Sequence, residues 1–241
     1  MESDLSATLG LRLRLLDNGY HPLPARGKKA LLTTWSRFCH VAPTESDLND
    51  WSARHPEWTN TGIACGHVVG IDIDISDEQR ARQLVALAQR CLGITPLHRI
   101  GRAPRVMLVY RALGAISSRQ FKDGEGGGMD ILSAGKQFIG FGIHPDTGTQ
   151  YVWPLETPLD VRAEELPAIS DGQVDTLLLD AGFRSRTQPK KEGATRQNVS
   201  ENDREYAFSA DGRTADGREA LLRDLILEAV PATYRRDRRD S

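Results

Sequence analysis

The stretch Ile71-Asp72-Ile73-Asp74-Ile75 decides how this chain is read. Side chains alternate across a strand, so the three isoleucines share one face and the two aspartates the other. Aspartate is depleted in strands, and two like charges this close repel. A core-forming strand with a carboxylate pair on its polar face points to a divalent cation. With a third acid from a neighbouring strand, such a pair can hold the metals of phosphoryl and nucleotidyl transfer. The alternative is a solvent-facing strand whose aspartates only solubilise it.

The flanking segments build an α+β pattern. Ser76-Asp77-Glu78-Gln79 matches a capping box, with Ser76 as the expected cap of a helix that buries Leu84, Leu87, Ala88 and Cys91 and stops at Gly93. Residues 61–66 and 67–75 read as two strands meeting near a glycine turn. Upstream, Leu5, Leu9, Leu13 and Leu16 recur at helical spacing over 4–17, and Thr44 is placed to cap a helix carrying Leu48 and Trp51 that ends before Pro56. Downstream, 97–101, 106–111, 129–132, 137–143 and 150–153 are strand-like, residues 124–128 are a glycine-rich entry, and Ser170 is placed to cap a helix to about 181. The expectation is a mostly antiparallel sheet flanked by helices.

The bulk numbers narrow the class. At 241 residues the chain suits one domain of about 170–200 residues with an appendage, or two small domains. The composition shift at Arg184 predicts a domain over 1–183, a linker over 184–214, and a C-terminal helix with a basic tail over 215–241. A hydrophobic content of 39% and a net charge of -2 describe a soluble globular protein with no global pull toward nucleic acid or membranes, so nucleic-acid contacts must come from local basic patches. No apolar run is long enough for a membrane span and no signal peptide is read, which predicts a cytoplasmic location and no membrane partner. Cys39, Cys65 and Cys91 are odd in number, widely spaced and without CxxC or HxxxH companions, so they read as small buried hydrophobes rather than disulfides or zinc ligands. There is no GxxxxGK[ST], hence no P-loop motor.

In order and spacing, several short motifs resemble the bifunctional DNA primase/polymerase (prim-pol) family of the archaeo-eukaryotic primase superfamily, in its phage and mobile-element form. They are Gly19-Tyr20-His21-Pro22-Leu23-Pro24, Gly27-Lys28-Lys29, Trp35, Thr61-Gly62-Ile63-Ala64-Cys65-Gly66, Val69-Gly70-Ile71-Asp72-Ile73-Asp74, Gly128-Met129-Asp130-Ile131, and Ile143-His144-Pro145-Asp146-Thr147-Gly148 leading to Tyr151 and Trp153. The resemblance covers roughly residues 8–160. It implies an RRM-like catalytic core, with Asp72, Asp74 and Asp130 as catalytic ligands of Mg2+ or Mn2+. It also implies a single-stranded DNA template, NTP or dNTP as substrate, and a helicase domain or partner downstream. The family usually carries a Ser-x-His element between its acidic motifs. The matching stretch, Gly101 to Arg111, has no histidine, and Arg105 is the expected substitute because a guanidinium grips phosphate in a bidentate fork.

Other nucleotide- or phosphate-binding candidates each have a plainer reading. Lys28 and Lys29 sit in a loop that suits a phosphate or a solvated turn. Arg99, Arg102, Arg105 and Arg111 crowd two adjacent strands, either to handle a triphosphate or to pair with the aspartates. His144 stands at a strand end, where a histidine binds phosphate, orients Asp130, or is a structural hydrogen-bonder. The leading function is template-dependent nucleotidyl transfer in primer synthesis, extension or both. The alternatives are a metal-dependent phosphodiesterase or nuclease, and a nucleic-acid-binding replication module whose catalysis has decayed.

Overall fold

The computed structural model describes residues 2–122 and 127–183. The expected linker over 184–214 and the helix and basic tail over 215–241 lie outside the described residues, as do residues 124–126 of the glycine run. The helices are α1 (Glu2–Asp17), α2 (Glu45–Arg54), α3 (Glu78–Leu92) and α4 (Asp171–Asp180). The strands are β1 (Pro22–Arg26), β2 (Lys29–Ala30), β3 (Asn60–Ala64), β4 (Val68–Asp74), β5 (His98–Arg99), β6 (Val106–Ala112), β7 (Arg119–Lys122), β8 (Gly128–Leu132), β9 (Gln137–Phe141) and β10 (Ala168–Ile169). The α+β class is as expected, but the strands divide between two sheets.

The first sheet has the order β2-β1-β3-β9 and is antiparallel throughout. The second has the order β10-β6-β4-β8-β7, with β5 also pairing with β6. Only the β10–β6 pair is parallel. The two strands read on either side of the glycine turn, β3 and β4, therefore belong to different sheets.

The quoted pentapeptide lies on the central strand of the second sheet. Ile71, Ile73 and Ile75 are buried with Ala81, Leu84, Val85, Ala88 and Leu92 of α3 and with Val174, Leu177 and Leu178 of α4. Each buried Ile, Leu or Val among these stabilises the fold by about 1.5–3 kcal/mol. The opposite face carries Val68, Met107 and Val109, which pack with Leu15 of α1, Ile63 and Phe138 of the first sheet, and Tyr20 and Cys65 in the adjoining turns. That second core stops short of Asp72 and Asp74, where a cleft opens.

Two local expectations need correction. The cap of α3 is Asp77, whose side chain accepts from the Arg80 N–H at 2.7 Å, rather than Ser76. Residues 150–153 make isolated bridges instead of a strand: Val152 pairs with Ile100 and Gln150 with Ile143. Tyr151 also donates its N–H to Gly142 O, so this segment stitches the margins of the two sheets together. Thr44 and Ser170 cap α2 and α4 with reciprocal boxes, as their positions predict. Cys39, Cys65 and Cys91 are free, the first two buried. No helix among the described residues is long and apolar enough to cross a membrane.

Candidate metal and nucleotide cleft

One transverse row of side chains organises the site. Arg99 on β5 is opposite Met107 on β6, Met107 is opposite Asp72 on β4, Asp72 is opposite Asp130 on β8, and Asp130 is opposite Gln120 on β7. Directly paired residues share a face, with Cα atoms about 4.5–5.5 Å apart. Asp72 and Asp130 therefore stand side by side, and Asp74 projects from the same face two residues further along β4. Opposite Asp74 is Gly128. A Cβ there would lie 2.1 Å from Phe121 O, so the close approach of β7 demands glycine.

Asp72 senses both of the other carboxylates. Burial is the largest cause raising the Asp72 carboxyl above its ordinary value, and the charges of Asp130 and Asp74 push the same way, while Arg99 and Lys28 oppose them. Asp130 accepts from Gln120 Nε2 at 3.1 Å through Oδ2, and its Oδ1 is buried without a hydrogen-bond partner. An orphaned carboxylate oxygen beside a second carboxylate is an arrangement that a cation would relieve. Even so, no group of three His, Cys, Asp or Glu residues stands close enough to hold a metal ion among the described residues. Arginine supplies the positive charge instead. Arg105 Nε lies 2.8 Å from Asp74 Oδ1, and Arg99 Nη2 lies 4.0 Å from Asp72 Oδ1.

The cleft, about 240 Å³, is lined by Asp72 and Asp74 on one side and by Lys28, Arg99, Arg102, Arg105 and His144 around them. Arg99 is the most firmly held of these. Its Nη1 donates to Ile139 O at 2.7 Å, and its guanidinium lies 4.8 Å from the Tyr151 ring centroid. Burial draws it below the ordinary arginine value, and Asp72 opposes that shift. His144 is 7% exposed and packs against Tyr151 at 5.2 Å between centroids. Its Nδ1 accepts from the Asp146 N–H at 3.2 Å, which places the proton of the neutral ring on Nε2. Burial, then the charge of Lys28, lowers its affinity for a second proton. Lys28 Nζ bonds Asp146 Oδ2 at 2.8 Å in an exposed ion pair.

Six of the nine residues singled out from the sequence meet at this cleft: Asp72, Asp74, Arg102, Arg105, Lys28 and His144. Asp130 does not line it but stands beside Asp72 through the β4–β8 register. Lys29 and Arg111 are not brought there. Lys29 is exposed on β2 opposite Arg26. Arg111 shares the face of Asp72 but is opposite Val68, so about 13 Å of strand separate it from the level of Asp72. Tyr151 and Gln137 also line the cleft; Tyr151 was quoted only as part of the motif after His144 and given no role, and no local pattern marks Gln137. Arg99 was marked only by crowding with other arginines.

With this geometry in place, the comparison with protein families is direct. The family described as bifunctional DNA primase/polymerase, N-terminal, matches residues 12–169, from within α1 to the end of β10, and the chain belongs to that family. No curated protein matches the chain. Members of the family are generally dependent on divalent metals.

Proposed function

We propose that this domain is a template-dependent nucleotidyltransferase, a DNA primase/polymerase that makes or extends primers on single-stranded DNA from NTP or dNTP, in replication of a phage, plasmid or mobile element. The observation that carries this reading is the pairing of Asp72 with Asp130, the latter holding an orphaned oxygen, at the edge of a cleft whose lining includes the cations Lys28, Arg99, Arg102 and Arg105. Oxygen ligands of this hardness suit Mg2+ or Mn2+.

Asp72, Asp74 and Asp130 are the residues that would hold the metal. The bound ion would supply charge neutralisation at the phosphates and a more acidic primer hydroxyl. The chain's own residues do the remainder. Lys28, Arg102 and the Nε2–H of neutral His144 bind and orient the anionic phosphates, and Arg99 is fixed by Ile139 O before any ligand arrives. Arg105 is paired with Asp74, and with that carboxylate engaged by a cation its guanidinium would be free to grip a phosphate oxygen.

A second reading, a nucleic-acid-binding replication module without catalysis, draws on the same ion pairs, since Arg99 and Arg105 already balance two of the three acids. Primer synthesis on circular single-stranded DNA with labelled dNTP or rNTP separates the two. Incorporation with Mg2+ or Mn2+ that is lost in a D72A/D74A double variant supports the transferase. Template binding without incorporation in either metal selects the binding module, and metal-dependent release of nucleotides selects a nuclease.

A further inference from the structure

Asn60, the first residue of β3, lies outside the row of acids and arginines and is 5% exposed. Its amide makes three hydrogen bonds. Nδ2 donates to Gly27 O at 3.0 Å and to Ile143 O at 2.9 Å, and Oδ1 accepts from the Ile143 N–H at 2.9 Å. The two backbones it joins are 116 residues apart in the chain, and each carries a cleft cation or donor on its next residue: Lys28 after Gly27, and His144 after Ile143. Gly142 accommodates the junction. Its φ is +116°, and a Cβ there would lie 2.1 Å from Asn60 Oδ1.

We propose that Asn60 is a positioning residue that sets Lys28 and His144 at a fixed separation across the phosphate-binding side of the cleft. This rests on the nucleotidyl-transfer reading for its consequence, though not for its geometry. Other contacts support the same junction without replacing it. Gln137 Nε2 donates to Lys28 O at 2.8 Å, and Lys28 closes onto Asp146. Neither bonds Ile143 or His144. Only the Asn60 amide bonds both the Gly27 carbonyl and the Ile143 peptide among the described residues. Because preorganised donors bind phosphate without reorganisation, loosening this junction weakens nucleotide binding more than it slows a bound complex.

The test compares wild type, N60A, G142A and N18A. Asn18 is an amide clamp of similar kind, donating to Pro158 O and Leu159 O, away from the cleft. Two readouts are taken: dNTP titrations of primer extension, and the NMR titration of the His144 ring. That ring is faced by the cations of Lys28, Arg99 and Arg102 and by the anion of Asp146. N60A and G142A, which disturb the same junction from opposite sides, are expected to raise KM for dNTP about tenfold or more with kcat changed by less than about threefold. Both are expected to move the His144 titration upward as Lys28 relaxes away, while N18A changes neither. If N60A does not fold, G142A carries the comparison. An unchanged His144 titration in the junction variants, or the same changes in N18A, overturns the positioning role. Wild-type protein that incorporates no nucleotide overturns the transferase reading instead, and the NMR comparison still decides the role of Asn60.

Discussion

Under the proposed function, Asp72 and Asp130 set activity against stability. Two carboxylates are paired across adjacent strands, one with its affinity for a proton raised and the other with a bare oxygen. Natural proteins keep such local conflicts where a ligand resolves them. Asn at position 130 preserves shape, still accepts from Gln120, and removes one charge facing Asp72. D130N is therefore expected to lower nucleotide incorporation at least about 100-fold while leaving the melting temperature unchanged or slightly raised, as checked by primer extension and thermal melts. His98 shows a buried titratable group of another kind. It is fully buried, its Nε2 is 3.3 Å from Gln89 Nε2, and burial pushes it down to about 4. The folded state keeps this ring neutral, whereas the unfolded chain takes up its proton near the ordinary value of 6.5. The unfolded state thus binds more protons between these values, so stability is full above pH 6.5 and is lost as pH falls toward 4. His98 accounts for up to about 3 kcal/mol of that loss, and urea unfolding at pH 7 and pH 4.5 should show a smaller difference in H98L than in wild type.

At the level of elements, hydrophobic periodicity carried most of the information. The leucines of α1, the stripe of α3 and the alternation of β4 all mark elements that the structure contains. Thr44 and Ser170 cap their helices with partners three residues on, Asp47 and Gln173. The start of α3 carries the same Ser-Asp-x-Gln pattern as the start of α4, yet Asp77 rather than Ser76 takes the cap. The local pattern alone therefore does not decide between two adjacent cap residues. D77A is expected to cost about 1 kcal/mol in urea unfolding, and S76A close to nothing. The bridging segment at 150–153 shows the same limit of local pattern. Its alternating apolar residues suit a strand, but its partners, Ile100 and Gly142, extend from two different sheets and cannot form one continuous ladder.

Across the whole molecule, the α+β class could be read from an ordered set of motifs, and the placement of Asp72 and Asp74 on one face of a core strand from the alternation of β4. The division into two sheets could not, because nothing local tells β3 and β4 to part at their turn. Nor could the contacts that shape the cleft, which join residues far apart in the chain: Arg105 with Asp74, Arg99 with Ile139, and Asn60 with Gly27 and Ile143. Under the proposed function the acids of β4 and β8 would share a divalent cation once nucleotide is present, and Arg105 would leave Asp74. Anomalous diffraction from crystals grown with Mn2+ and a non-incorporable dNTP analogue tests it most directly. The account predicts manganese density bounded by Asp72, Asp74 and Asp130, with Arg105 turned toward phosphate. Density located elsewhere, or none with Arg105 still on Asp74, would contradict it.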